Sequence, residues 1–268
     1  TVSEWDKKRV YMDNKLFEKI VREMADYAHW IKSVCLSRNG EPLLDKTLPQ
    51  KVRLLKDSGI KHVIFATNAE LLDENKSESL LNSGLDEISF SIDGATKKTF
   101  EYIRRGLNFE KVVKNCLRLI EMRNKMNAKT RVRIRMVLQK ENYNEEKDFK
   151  KFWLSKVAPS DMVYSKAMHN WGNQLVNYEK KNRNYLDIPC ISPWSTLDVL
   201  SDGKVPLCGR DYNNKILMGD INSSTLKEIW QSGKYKSVRD IHSSGKRNDI
   251  SLCIDCSVWD TDEVKIYE

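Results

Sequence analysis

HVIFATNAELLDENKSESLLNSGLDEISFSIDG, residues 62–94, holds two apolar runs of strand length separated by a stretch of helix length. Residues 62–66 form the first run and residues 87–92 the second. Runs that are apolar on both faces suit a parallel sheet, whose strands are buried between helices. Residues 74–83 between them read as a helix stopped by Gly84. Each run ends in small polar groups, Thr67-Asn68-Ala69 and Ser91-Ile92-Asp93-Gly94.

The same alternation continues outward. Upstream, residues 14–28 place Leu16, Phe17, Ile20, Val21 and Met24 on one helical face. A short β-prone run follows at 31–36, then a helix at 47–58 stopped by Gly59. Downstream, 109–122 and 145–154 read as helices, and 132–138 and 162–165 as strands. Five strands alternate with helices, so parallel βα units are expected. A helix that opens such a series follows a strand, so a sixth strand is expected upstream of Thr1.

The pattern stops after residue 171. Residues 172–189 are polar and read as a linker. Residues 195–200 and 204–207 flank Ser201-Asp202-Gly203 and predict a β-hairpin. Short helices are expected at 226–231 and 235–242. This region holds little apolar sequence, so it is expected to need a metal to close.

Of the 268 residues, 40% are hydrophobic and 31% charged, which fits a globular chain. No stretch reaches the roughly 18 apolar residues of a spanning helix. The opening residues 1–8 are polar, unlike a signal peptide, and a cytoplasmic protein is expected. Lys and Arg exceed Asp and Glu by 46 to 38, a net +8. The basic residues are scattered, with no basic stripe interleaved with aromatics, so nucleic acid is not the expected partner.

Four cysteines crowd the end of the chain. Cys190 is followed by twelve residues, Gly203, four residues and Cys208; Cys253 and Cys256 form a Cys-x-x-Cys pair. Four thiolates at such spacing suit either tetrahedral zinc or a cubane iron–sulfur cluster, and spacing leaves both open. Cys35 in a strand and Cys116 on an apolar helix face read as core residues.

Asn39-Gly40-Glu41-Pro42 follows the 31–36 strand and puts a carboxylate at its carboxyl end, the edge where parallel α/β structures bind ligands. Arg133 and Arg135 alternate along one strand and share a face. Burial against helices would be costly, so both are expected to face the barrel lumen.

Together these motifs resemble the radical S-adenosylmethionine (SAM) enzymes. Gly40-Glu41-Pro42 resembles the end of that family's Gly-Gly-Glu-Pro motif, with Asn39 in place of the first Gly. Thr67-Asn68-Ala69, Ser91-Ile92-Asp93-Gly94 and Tyr102-Ile103-Arg104-Arg105-Gly106 resemble further family segments. Cys190, Gly203 and Cys208 resemble the opening of a SPASM or twitch domain.

The resemblance implies a partial (β/α)6 barrel over 1–171 lacking its first strand, a linker over 172–189, and an auxiliary iron–sulfur domain over 190–268. It implies SAM against Gly40, Glu41, Asn68, Ser91 and Asp93, with Arg133 and Arg135 toward its carboxylate or an anionic substrate. It implies one auxiliary [4Fe–4S] cluster on Cys190, Cys208, Cys253 and Cys256, since no cysteine follows Cys256. His169 and Asn170 are substrate-site candidates.

The family's Cys-x-x-x-Cys-x-x-Cys, which binds the SAM-cleaving cluster, is absent from this sequence. It is expected upstream of Thr1, in which case this chain alone is inactive. The implied chemistry is reductive SAM cleavage to a 5′-deoxyadenosyl radical that abstracts hydrogen from a peptide, sugar or small-molecule substrate. A flavodoxin or ferredoxin would supply the electron. The rival expectation is a zinc-stabilised, non-catalytic ligand-binding protein.

Overall fold

A computed structural model describes residues 11–172, 174, 188–254 and 256, and the backbone of 264–267. It divides into two compact units, one comprising 25–168 with 262–268, the other 1–24 with 169–261.

The first unit is an α/β sheet built from the expected alternation. Its elements run β1 (Val34–Cys35), α2 (Leu48–Asp57), β2 (Val63–Thr67), α3 (Glu74–Leu81), β3 (Glu87–Ser91), α4 (Lys97–Ile103), α5 (Phe109–Lys125), β4 (Arg131–Leu138), α6 (Glu146–Leu154) and β5 (Met162–Ala167). α1 (Asn14–Ala25) precedes them. Strands β1 to β5 lie parallel and in chain order. A further strand, β8 (Val264–Tyr267), pairs antiparallel with β5 at the sheet edge. The sequence reading assigned this last segment to the auxiliary domain.

Polar side chains start the helices. Asp73 accepts the Lys76 N–H at 2.8 Å and opens α3; Asn108 accepts the Lys111 N–H at 2.8 Å and opens α5. α4, absent from the sequence reading, opens on Thr96, which accepts the Thr99 N–H. Its start crowds Gly94: a Cβ there would lie 2.6 Å from the Phe100 backbone nitrogen. Only glycine lets the β3–α4 turn come this close.

The register gives the sheet two unlike faces. Phe65, Ile88, Phe90, Val132, Ile134 and Val163 share one face and are buried. Val52, Leu55, Leu80, Val112, Cys116 and Leu119, from the helices, belong to the same buried core. Burial of each such side chain contributes about 1.5–3 kcal/mol. The other face carries Ser89, Ser91, Arg133 and Arg135. At the amino ends of β4 and β5, Arg123 and Asp161 form a buried, two-pronged ion pair, each bond 2.7 Å.

The second unit contains α1, α7 (Ser192–Ser195), β6 (Lys204–Pro206), β7 (Leu217–Asp220), α8 (Leu226–Trp230) and α9 (Gly233–Ser243). The Asp-Gly turn forms, with the Gly203 N–H donating to the Leu200 carbonyl at 2.9 Å. The hairpin arms differ from expectation. β6 pairs with β7, not with residues 195–200. Ile221 extends that pairing by donating to the Gly203 carbonyl, while the 195–200 arm reaches the turn and β6 through Leu200, which bonds Gly203 and Lys204.

The expected shortage of apolar material is corrected as well. Ile20, Val205, Leu207, Met218, Ile221, Ile229, Tyr235, Val238, Ile250 and Leu252 form one buried cluster. Lys19 of α1 reaches the Ile221 and Ser224 carbonyls, and Glu23 accepts the Leu226 N–H at 2.7 Å. The amphipathic face of α1 is therefore spent in this unit.

Candidate functional site

In the sheet unit Gly40, Glu41, Asn68, Ser91 and Asp93 lie at or just past the carboxyl ends of β1, β2 and β3. Glu41 follows β1 and starts a 3₁₀ turn, Pro42–Leu44, by accepting the Leu43 N–H at 3.0 Å. The same carboxylate accepts the Thr67 hydroxyl at 2.6 Å and the Asn68 N–H at 2.8 Å, both at the end of β2. A carboxylate has about four acceptor positions. Three are filled, and a cation can take the fourth. Gly40 beside it sits at φ +102°, a left-handed value that favours glycine, with nothing within 4 Å of its would-be Cβ. Its conformation, rather than close approach by the chain, demands glycine.

Asn68 bends back so that its Oδ1 accepts the Glu70 N–H at 2.9 Å. Ala69 is then left-handed, φ +61°, and its carbonyl accepts the buried Asn115 amide of α5 at 2.8 Å. Asp93 is buried and occupied: it accepts the Arg104 Nε at 2.7 Å and the Val137 N–H at 2.7 Å. Asn68 and Asp93 thus shape the edge, and their side-chain oxygens already hold the chain's own donors.

The two arginines share the polar face as expected but differ in charge balance. Arg133 donates to the buried Glu87 at 3.0 Å and lies over the Tyr164 ring at 5.1 Å. Burial alone would lower its pKa; Glu87 and Tyr164 together more than offset this and hold it above the ordinary value. Arg135 donates to the Ser91 hydroxyl at 2.7 Å, and its buried Nε has no partner among the described residues. No carboxylate among those residues pairs with Arg135.

In the second unit the four expected cysteines influence one another. Burial, together with the charges of Cys208, Cys256 and Cys190, pushes the Cys253 thiol far above its ordinary value. Burial also pushes Cys190 up, against the Ser192 N–H that favours its thiolate. Partly buried thiolates that repel each other persist when metal ions neutralise them, so the donor set fits a metal centre. The thiols are also served by donors. The Arg210 N–H lies 3.4 Å from the Cys208 sulfur, and His242 Nε2 lies 3.5 Å from the Cys253 sulfur. Buried Arg247 adds a positive charge felt by both Cys190 and Cys253.

Among the described residues, no three His, Cys, Asp or Glu side chains converge closely enough to hold a single metal ion. Zinc bonds of about 2.3 Å would draw thiolates to about 3.8 Å of one another. Cys116 is fully buried in the sheet unit's core, as expected, while Cys35 is exposed, with its thiol 3.2 Å from the Ser37 carbonyl, and is not a core residue.

His169 and Asn170 fall in the second unit, not with the barrel. His169 stacks edge-on to Trp171 at 4.7 Å, Trp171 packs on Tyr212 and under Arg210, and Asn170 is buried. Thr67 and Arg104 fell inside segments the sequence reading singled out, but their partners, Glu41 and Asp93, were not legible there. His242 was not singled out, because nothing in the sequence of α9 marks it as a neighbour of the cysteines.

A radical SAM superfamily model matches residues 3–152. The chain belongs to the radical SAM superfamily. An iron-sulfur cluster-binding SPASM domain matches residues 190–257. The family uses SAM and a [4Fe–4S] cluster, and SPASM domains bind auxiliary iron–sulfur clusters. Over 104 residues the chain is 33% identical to a probable GTP 3',8-cyclase of Methanococcus maripaludis, covering 39% of this chain and 34% of that protein. Over 98 residues it is 31% identical to an S-adenosyl-L-methionine-dependent 2-deoxy-scyllo-inosamine dehydrogenase of Niallia circulans, 37% of each chain. These matches thus span about a third of the relatives' length. In fold, the chain is similar to BtrN in complex with AdoMet and 2-DOIA, with a TM-score of 0.62, 19% identity, and 94% and 83% of the two chains covered. It is also similar to Streptococcus suis SuiB, TM-score 0.61, 14% identity, covering 88% and 63%. No helix among the described residues is long and apolar enough to cross a membrane.

Proposed function

We propose that this chain forms the SAM-binding edge and the auxiliary cluster domain of a radical SAM enzyme that abstracts hydrogen from its substrate. The observation that carries this reading is the Glu41 carboxylate. Three chain donors hold it at the ends of β1 and β2 and leave one acceptor position for the SAM ammonium. Arg135, whose charge no described carboxylate answers, is the group for the SAM carboxylate or an anionic substrate. Ser91 orients Arg135, while Asn68 and Asp93 keep the strand ends in shape. Gly40 supplies the turn, while Arg133 is taken up by Glu87 at the amino end of β3.

Cys190, Cys208, Cys253 and Cys256 are the ligands of one auxiliary [4Fe–4S] cluster in this reading. When bound, SAM and a reduced cluster supply a 5′-deoxyadenosyl radical. The chain's own residues bind and orient SAM, and the partly buried thiols with buried Arg247 provide the site for the auxiliary cluster. The substrate class is proposed to be a small molecule, as the names of the related cyclase and dehydrogenase suggest.

Titration calorimetry of SAM against the wild type and Arg135→Met tests the reading. Loss of binding in Arg135→Met, with the fold intact by circular dichroism, is the expected result. Equal affinity would remove Arg135 from the site.

A further inference from the structure

We propose that His242 is a positioning residue of the four-cysteine centre: its Nε2–H donates to the Cys253 sulfur and raises the reduction potential of the cluster held there. This rests on reading Cys190, Cys208, Cys253 and Cys256 as iron–sulfur ligands.

The tautomer follows from one contact. The Cys190 backbone N–H can only donate, and it points at His242 Nδ1 from 3.1 Å. Nδ1 therefore presents its lone pair, and a neutral imidazole then carries its proton on Nε2. Nε2 in turn lies 3.5 Å from the Cys253 sulfur. The ring is 1% exposed and stands edge-on to Trp194 at 6.2 Å, so it has little freedom to turn.

One ring thus fastens the backbone of one cysteine and the sulfur of another. The same contact argues against His242 as a metal ligand. Ligation through Nε2 would require the proton to sit on Nδ1, where the Cys190 N–H already points. Hydrogen bonds to ligand sulfurs stabilise the more negative, reduced cluster, and such donors are among the terms that set cluster potentials.

The test uses the full chain reconstituted anaerobically with iron and sulfide. Iron and sulfide content of the wild type comes first, because absence of both overturns the ligand reading whatever His242 does. Redox titration followed by electron paramagnetic resonance then compares His242→Phe and His242→Gln with the wild type. The Phe variant, which has no donor, is expected to keep its iron and to be reduced with an equilibrium constant about tenfold smaller. That corresponds to a potential about 59 mV more negative for one electron. The Gln variant places an amide N–H near the position of Nε2 and is expected to recover most of the shift.

An unchanged potential in the Phe variant, or no recovery with Gln, overturns the proposal. Should the Phe variant fail to fold, pulsed resonance on wild-type protein carrying ¹⁵N-histidine decides. A weak through-hydrogen-bond coupling is expected, and either a directly bonded nitrogen coupling or none contradicts the proposal.

Discussion

Glu41 accepts the backbone N–H of Asn68 at 2.8 Å, across 27 residues of sequence. The bond ties the turn after β1 to the end of β2, so the motif that resembles a SAM-binding segment is also a structural clasp. Two effects of one residue can be separated by experiment.

Glu41→Ala leaves the Thr67 hydroxyl and the Asn68 and Leu43 N–H groups without their acceptor. Stability is expected to fall by roughly 1–3 kcal/mol. SAM affinity is expected to fall by a further 1.5–3 kcal/mol, roughly, for the lost charge-assisted bond. Urea denaturation measures the first and calorimetry the second. A stability loss with unchanged SAM affinity would reduce Glu41 to a clasp.

Gly94→Ala forces a methyl group to within 2.6 Å of the Phe100 backbone. Backbone cannot swing aside as a flexible side chain does, so α4 must shift. The expected cost is about 1–3 kcal/mol, the usual range for overpacking. A midpoint equal to wild type in urea denaturation would show that the β3–α4 turn relaxes freely.

Arg123→Met leaves Asp161 buried without its ion-pair partner. At neutral pH the expected destabilisation is about 3–5 kcal/mol. Burial alone would raise the Asp161 pKa, but Arg123 and the Val132 and Ala158 N–H groups outweigh it and hold the carboxyl below its ordinary value. Its contribution is therefore complete above the ordinary carboxylate value and is lost as pH falls through the lower, folded value. The gap between wild type and Arg123→Met should narrow in acid. A gap constant from pH 7 to pH 3 would contradict this assignment.

The sheet was legible because apolar runs such as 62–66 and 87–92 have a strand's length and each follows a helix stop, at Gly59 and Gly84. The SPASM-type domain over 190–257 was legible because the spacing of its cysteines is itself the signal. The partner of α1 was not: an amphipathic face shows that a helix buries one side, not what it buries it against. β7 was missed because Leu217-Met218-Gly219-Asp220 is too short to alternate. β8 does alternate, as Val264-Lys265-Ile266-Tyr267, but its pairing with β5 depends on long-range contact. For the same reason, Asp93 read as a ligand residue while Arg104 and Val137 already held it.

Iron and acid-labile sulfide, quantified in the reconstituted chain and in Cys208→Ala and Cys116→Ala, test the central assignment most directly. The expected result is iron and sulfide in equal amounts, as in a cubane cluster, in the wild type and in Cys116→Ala. Both should be lost in Cys208→Ala. Because Val205, Leu207, Ile229 and Tyr235 form a core of their own, the second unit should stay folded in that variant. One zinc with no sulfide in the wild type, or full iron occupancy in Cys208→Ala, would contradict the assignment.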